Sequence, residues 1–90
     1  MTGNDYQRAA LRSCEATLQS DKMLNGALGL GSKAGEIADL VKENKLHIHK
    51  LDKKELIEDL GDICWHITIL ADGLNVDLDT ILDMNVQKPR

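Results

Sequence analysis

The sequence predicts an all-α fold, a small domain of four helices packed as a bundle and completed by association with further copies of the chain. The sole proline is Pro89, so no proline breaks a helix anywhere before the last two residues. Hydrophobic residues make up 42% of the chain, with one Trp, one Tyr and no Phe. Leu, Ile and Ala must therefore fill the core, a mixture that suits helices better than sheets. Ninety residues hold a single domain, 1–90. A lone chain of this size buries only about 60–65% of the surface that its unfolded form exposes, so its core would be marginal and partner subunits are expected.

The first helix is expected from near Asp5 to around Ser20 and Asp21, with Ala9, Ala10, Cys14 and Leu18 as its apolar row. The second is expected from about Lys22 to Asn44, with Leu30, Ala34, Ile37, Ala38 and Val41 on one stripe. Gly26, Gly29, Gly31 and Gly35 lie inside it, each costing about 1 kcal/mol relative to Ala. Close approach of another backbone, or a local break, would offset that cost. A loop from Lys45 to Asp52 follows. Asp52 and Glu55 then form a capping-box pattern that starts the third helix. Along it Leu56, Leu60, Ile63, Ile67, Leu70 and Leu74 step by 4, 3, 4, 3 and 4 residues, ending near Gly73. Ile57, Cys64 and Ala71 widen this seam, which predicts neighbours on two sides. Asp77 caps a short fourth helix through Leu78, Ile81, Leu82 and Val86.

Fifteen Asp and Glu against eleven Lys and Arg leave a net charge of -4. That is the wrong sign for binding a nucleic-acid backbone, although carboxylates that hold divalent cations can still receive a small polyphosphate. Cys14 and Cys64 lie in apolar-periodic stretches with no CxxC pair, and the start Met1–Asp5 is polar. Reduced, buried thiols in a cytoplasmic protein are expected. No apolar run approaches the ~20 residues of a membrane span.

On a helical wheel Glu55, Asp59, Asp62 and His66 fall within about 60° of one another. Lys33 and Glu36 sit together on the second helix. Antiparallel packing of the two helices would set Glu36 opposite Asp59 and Asp62, a hard-oxygen site suited to Mg²⁺ or Mn²⁺. The same spacing equally describes a solvated acidic face, ordinary in a chain that is 29% charged. His47 and His49 lack a third nitrogen or thiolate ligand for zinc. Trp65 has two roles open to it, packing or stacking on a base.

The stretch Leu24–Lys42, containing Gly29-Leu30-Gly31-Ser32-Lys33-Ala34-Gly35-Glu36-Ile37-Ala38-Asp39-Leu40, and the stretch Lys54–Trp65, containing Glu58-Asp59-Leu60-Gly61-Asp62, resemble the MazG-like all-α nucleoside triphosphate pyrophosphohydrolases. Tyr6-Gln7, His49–Asp52, Asn85 and Lys88 extend the similarity over most of the chain. The resemblance implies Mg²⁺- or Mn²⁺-dependent cleavage of the α-β phosphoanhydride of (d)NTPs, giving (d)NMP and pyrophosphate, in homo-dimers or homo-tetramers. It makes Glu36, Asp59 and Asp62 the catalytic and metal-binding residues, with Glu55 or Glu58 in support. Lys33, Lys54, Trp65, Asn85 and Lys88 would contact substrate, the cations at the phosphates and Trp65 at the base. Members often continue past the equivalent of Pro89-Arg90 into a basic, aromatic tail that adds phosphate contacts.

The family carries an ExxE element on one helix and ExxD on the next. Here the second reads Asp59-Leu60-Gly61-Asp62, which keeps both carboxylates. The first reads Lys33-Ala34-Gly35-Glu36, with an ammonium for the first carboxylate and Ser32 where some members have another Glu. Asp39 completes a literal ExxD with Glu36 but points about 60° away from it. A lysine here repels a cation and removes a ligand, or itself stands in for one Mg²⁺ and meets phosphate. It cannot serve as a general base unless its pKa falls far below ~10.4. The alternative is a degenerate member that keeps the fold and serves as a nucleotide-binding or interaction module.

Overall fold

The computed structural model describes residues 1–90 as α1 (Gly3–Leu11), α2 (Gln19–Lys45), α3 (Lys53–Gly73) and α4 (Leu78–Gln87). Thr2 closes a capping box on α1: its hydroxyl accepts from the Asp5 amide, and the Asp5 carboxylate accepts from the Thr2 amide, both at 3.0 Å. The helix then ends well short of the expected Ser20. Ser13 donates its hydroxyl to the Ala10 carbonyl at 2.9 Å, while the Ser13 and Cys14 amides close tight turns onto Ala10 and Leu11. A serine that competes for the last carbonyls of a helix favours such a stop. Cys14 and Leu18 thus belong to the connection, half-buried and exposed respectively, and α2 begins three residues before Lys22.

Helices α2 and α3 form an antiparallel pair in which glycine sets the separation. A Cβ at Gly26 would stand 2.7 Å from the Leu70 amide nitrogen and 2.9 Å from the His66 carbonyl oxygen, and one at Gly73 would stand 2.7 Å from the Met23 side chain. One at Gly29 would fall on the His66 ring. Close backbone approach therefore explains Gly26, and room for the His66 ring explains Gly29, whereas a Cβ at Gly31 or Gly35 meets nothing within 4 Å. Asp52 starts α3 as expected, accepting from the Glu55 amide at 3.1 Å. The register turns the Leu/Ile seam partly outward: Leu60 and Leu74 remain 53% exposed, and Asp59, Thr68, Ile69, Ala71 and Gly73 are the buried residues of α3.

Polar groups of α1 hold α4 in place. The Asp77 side chain accepts from the Thr80 amide at 3.0 Å, and Asn4 accepts from the Asp79 amide at 3.0 Å. Buried Gln7 accepts from the Leu78 amide at 2.8 Å and directs its own amide at the carbonyls of Thr68 and Val76. One side chain thereby satisfies groups from the end of α3, the following turn and the start of α4.

The four helices close little core by themselves. Ala10, Ile69 and Ala71 are the only buried hydrophobic residues. The radius of gyration is 14.9 Å, against about 12 Å for a compact chain of this length. On helical wheels centred on the α2–α3 contact, Ala34, Ala38 and Val41 of α2 and Leu60, Cys64 and Leu74 of α3 lie roughly 70–150° to one side of it. In an antiparallel pair these flanks share one side of the molecule, and all six residues are exposed. The expectation of two buried thiols accordingly fails, since Cys64 sits on this open flank and is exposed. No helix is long and apolar enough to cross a membrane.

Candidate functional site

The antiparallel register brings the N-terminal half of α3 against the middle of α2, and four charged side chains meet there. Lys33 Nζ lies 3.3 Å from Glu36 Oε2, 3.6 Å from Asp59 Oδ1 and 3.3 Å from Asp62 Oδ2. Glu36 and Lys33 are one turn apart on α2, and Asp59 and Asp62 are one turn apart on α3, so each pair projects from one face toward the other helix. Their surroundings differ. The Asp59 side chain is 9% exposed, that of Lys33 28%, and those of Glu36 and Asp62 about half. The Asp62 and Glu36 carboxylates hold the Lys33 ammonium above the usual lysine range, Asp62 contributing most.

Three carboxylates against one ammonium leave the cluster negative. Asp59 is the strained member, because its Oδ2 is buried and has no hydrogen-bond partner. A charged oxygen left without a partner in a low-dielectric setting is costly and calls for a cation or a donor. The donor set is thus right in kind for a hard divalent cation. In this conformation, however, no group of three His, Cys, Asp or Glu side chains is arranged to hold a metal ion. Mg²⁺ draws oxygens to about 2.0–2.1 Å, and the cation that these carboxylates surround here is Lys33 Nζ, at 3.3–3.6 Å.

The other sequence-predicted residues are not gathered at this point. Glu55, one turn before Asp59, and Glu58 beside it are exposed, as is Lys54 in the first turn of α3. Trp65 is half-buried and donates its indole N–H to Ser13 Oγ at 2.9 Å, with its ring edge-on to His66 at a 5.0 Å centroid distance. It thereby ties α3 to the turn after α1. Asn85 and Lys88 line a shallow depression of about 600 Å³ on α4 with Ile81, Met84 and Gln87. Helix α4 rests on α1, and Asn85 accepts from Arg90 at 2.8 Å.

Two features escape the charge pattern. Helical spacing puts His66 on the acidic stripe, but it does not foretell that the ring packs over Gly29 with its Nδ1 buried and without a partner. Gln7 carries the polar junction of three elements, and a glutamine in a short helix gives no such signal.

No known protein family matches the chain, and neither does any solved structure. The gene 37 protein of Mycobacterium phage L5 is 35% identical over 65 residues, which cover 68% of this chain and 57% of the phage protein. The chain therefore spans little more than half of that relative, whose name states no activity.

Proposed function

We propose that the chain is a MazG-like nucleotide pyrophosphohydrolase that cleaves the α-β phosphoanhydride of (d)NTPs to (d)NMP and pyrophosphate, working in the cytoplasm as a homo-dimer or homo-tetramer. The observation that supports this reading is the meeting of Glu36 from α2 with Asp59 and Asp62 from α3, the three carboxylates that the resemblance selects. They are the residues that would hold Mg²⁺ or Mn²⁺, with Glu55 in support. Such an ion, when bound, neutralises phosphate charge and acidifies water. Buried Asp59 fixes one anchor, while half-exposed Glu36 and Asp62 are free to reorient toward solvent, from which a triphosphate would arrive. Lys54, Asn85, Lys88 and Trp65 are the substrate contacts in this reading; Asn85 and Lys88 would have to come from another subunit.

Purified protein given Mg²⁺ or Mn²⁺ and a panel of ribo- and deoxynucleoside triphosphates should release pyrophosphate. Asp59→Asn and Glu36→Gln should each lower the rate about 100-fold or more, as expected when charge stabilisation at a reacting centre is lost. A folded protein that releases none from any nucleotide would exclude the reading. The three ion pairs of Lys33 favour a second one, a nucleotide-binding or interaction module without turnover. Release by Lys33→Glu together with silence in the wild type would establish that alternative.

A further inference from the structure

We infer that Lys33 is the resident cation of the α2–α3 carboxylate cluster, and that its ammonium and a divalent metal ion exclude one another there. The inference takes from the proposed function only the identity of the competing ion, and does not depend on turnover.

Lys33 Nζ stands within 3.3–3.6 Å of carboxylates on both helices, and no other Lys, Arg or His side chain pairs with any of the three. Asp59 cannot leave, because its carboxylate is buried in the helix contact. Its buried charge favours a cation close by, since an unpaired buried carboxylate is strongly destabilising. Lys33 can leave, because its charge sits at the end of a flexible four-carbon stem. A metal ion held at about 2.1 Å by the same oxygens would lie at most about 5–6 Å from Nζ while Lys33 keeps its present contacts, and two cations that close repel where water is partly excluded. One occupant must therefore displace the other. While seated, Lys33 is engaged by three carboxylates, so contact with a substrate phosphate would require its ammonium to swing away from them.

Manganese binding followed by electron paramagnetic resonance, without nucleotide, tests this on the whole chain. Lys33→Gln should bind Mn²⁺ at least about tenfold more tightly than the wild type, while Lys33→Arg, which keeps the cation, should bind as weakly as the wild type. Without metal, Lys33→Gln should melt at a lower temperature than the wild type and recover on adding Mn²⁺. A further Asp59→Asn change should remove that recovery. Lys33→Met carries the same comparison if Lys33→Gln does not fold. Equal Mn²⁺ affinity in the wild type and the neutral variants, or no binding to the neutral variants, would overturn the inference. A protein that releases no pyrophosphate yet shows the Lys33→Gln gain loses the proposed function and keeps this inference. An active wild type whose Mn²⁺ affinity Lys33→Gln leaves unchanged does the reverse.

Discussion

Asp59 and Gly26 show how single residues divide the α2–α3 contact between chemistry and packing. Gly26 is buried, and a Cβ there would meet the backbone of α3 at Leu70 and His66, atoms that cannot step aside. Gly26→Ala should therefore cost about 1–3 kcal/mol, the usual penalty for overpacking a close contact. In urea denaturation its midpoint should fall with little change in slope. Gly35 lies on the same helix, yet a Cβ there meets nothing within 4 Å. Gly35→Ala should raise the stability of the single chain by roughly 0.5–1 kcal/mol, the helix-propensity difference alone. An equal loss at both positions would mean that the helices do not approach most closely at Gly26. Asp59 is the counterpart in charge, since its neighbour in space, Lys33, decides whether its burial is tolerable.

The fourth helix rests on α1, and the cap that starts it titrates. The Thr80 hydroxyl and amide, followed by Asn4, hold the Asp77 carboxyl below its ordinary value of 3.8. A depressed carboxyl contributes stability that is present above its unfolded pKa and is lost as pH falls through the folded one. Residues 78–87 should thus lose amide-exchange protection below about pH 3.8, ahead of α3. Asp77→Asn, which still caps but does not titrate, should remove that early step; its persistence would place the sensitive group elsewhere. The starts of α3 and α4 were legible in the sequence because Asp52 and Asp77 use local, side-chain-to-amide chemistry. The end of α1 was not, because Ser13 can continue a helix or stop it, and its role with Trp65 depends on a residue 52 positions away. The site was legible to the same depth. Helical spacing identified Glu36, Asp59 and Asp62 as facing groups once the helices were paired. Which of four charges takes the centre depends on side-chain reach and on the rotation of α3, and neither is encoded in spacing. The Leu/Ile seam misled for a related reason: its heptad order fits several rotations, and the glycine contacts selected one that leaves Leu60 and Leu74 out.

At the scale of the whole molecule, the exposed flank and the thin core are one fact. The chain has 6642 Å² of accessible surface, whereas a compact monomer of 10.0 kDa has about 5,200 Å². The surplus exceeds the roughly 800 Å² per partner of a standard protein interface. It is also apolar in the right place, with Val41, Leu60 and Leu74 each at least half exposed along α2 and α3. A second copy laid on this flank would complete a bundle from two helix pairs, which is the association that the small size and Leu/Ile/Ala composition predict. The flank lies on the opposite side of the α2–α3 contact from Glu36 and Asp62 on the helical wheels, so covering it leaves the carboxylate cluster open to solvent. Sedimentation should accordingly find the wild type as a dimer or larger at micromolar concentration. Leu60→Glu, which puts a charge into the middle of the flank, should shift it to the monomer and give a lower melting temperature that no longer depends on protein concentration. The same variant should leave Mn²⁺ binding by Lys33→Gln intact, because the two surfaces face apart. A wild-type monomer at high concentration would leave this flank for a different partner, and loss of metal binding with Leu60→Glu would mean that the cluster needs the second copy to hold its shape.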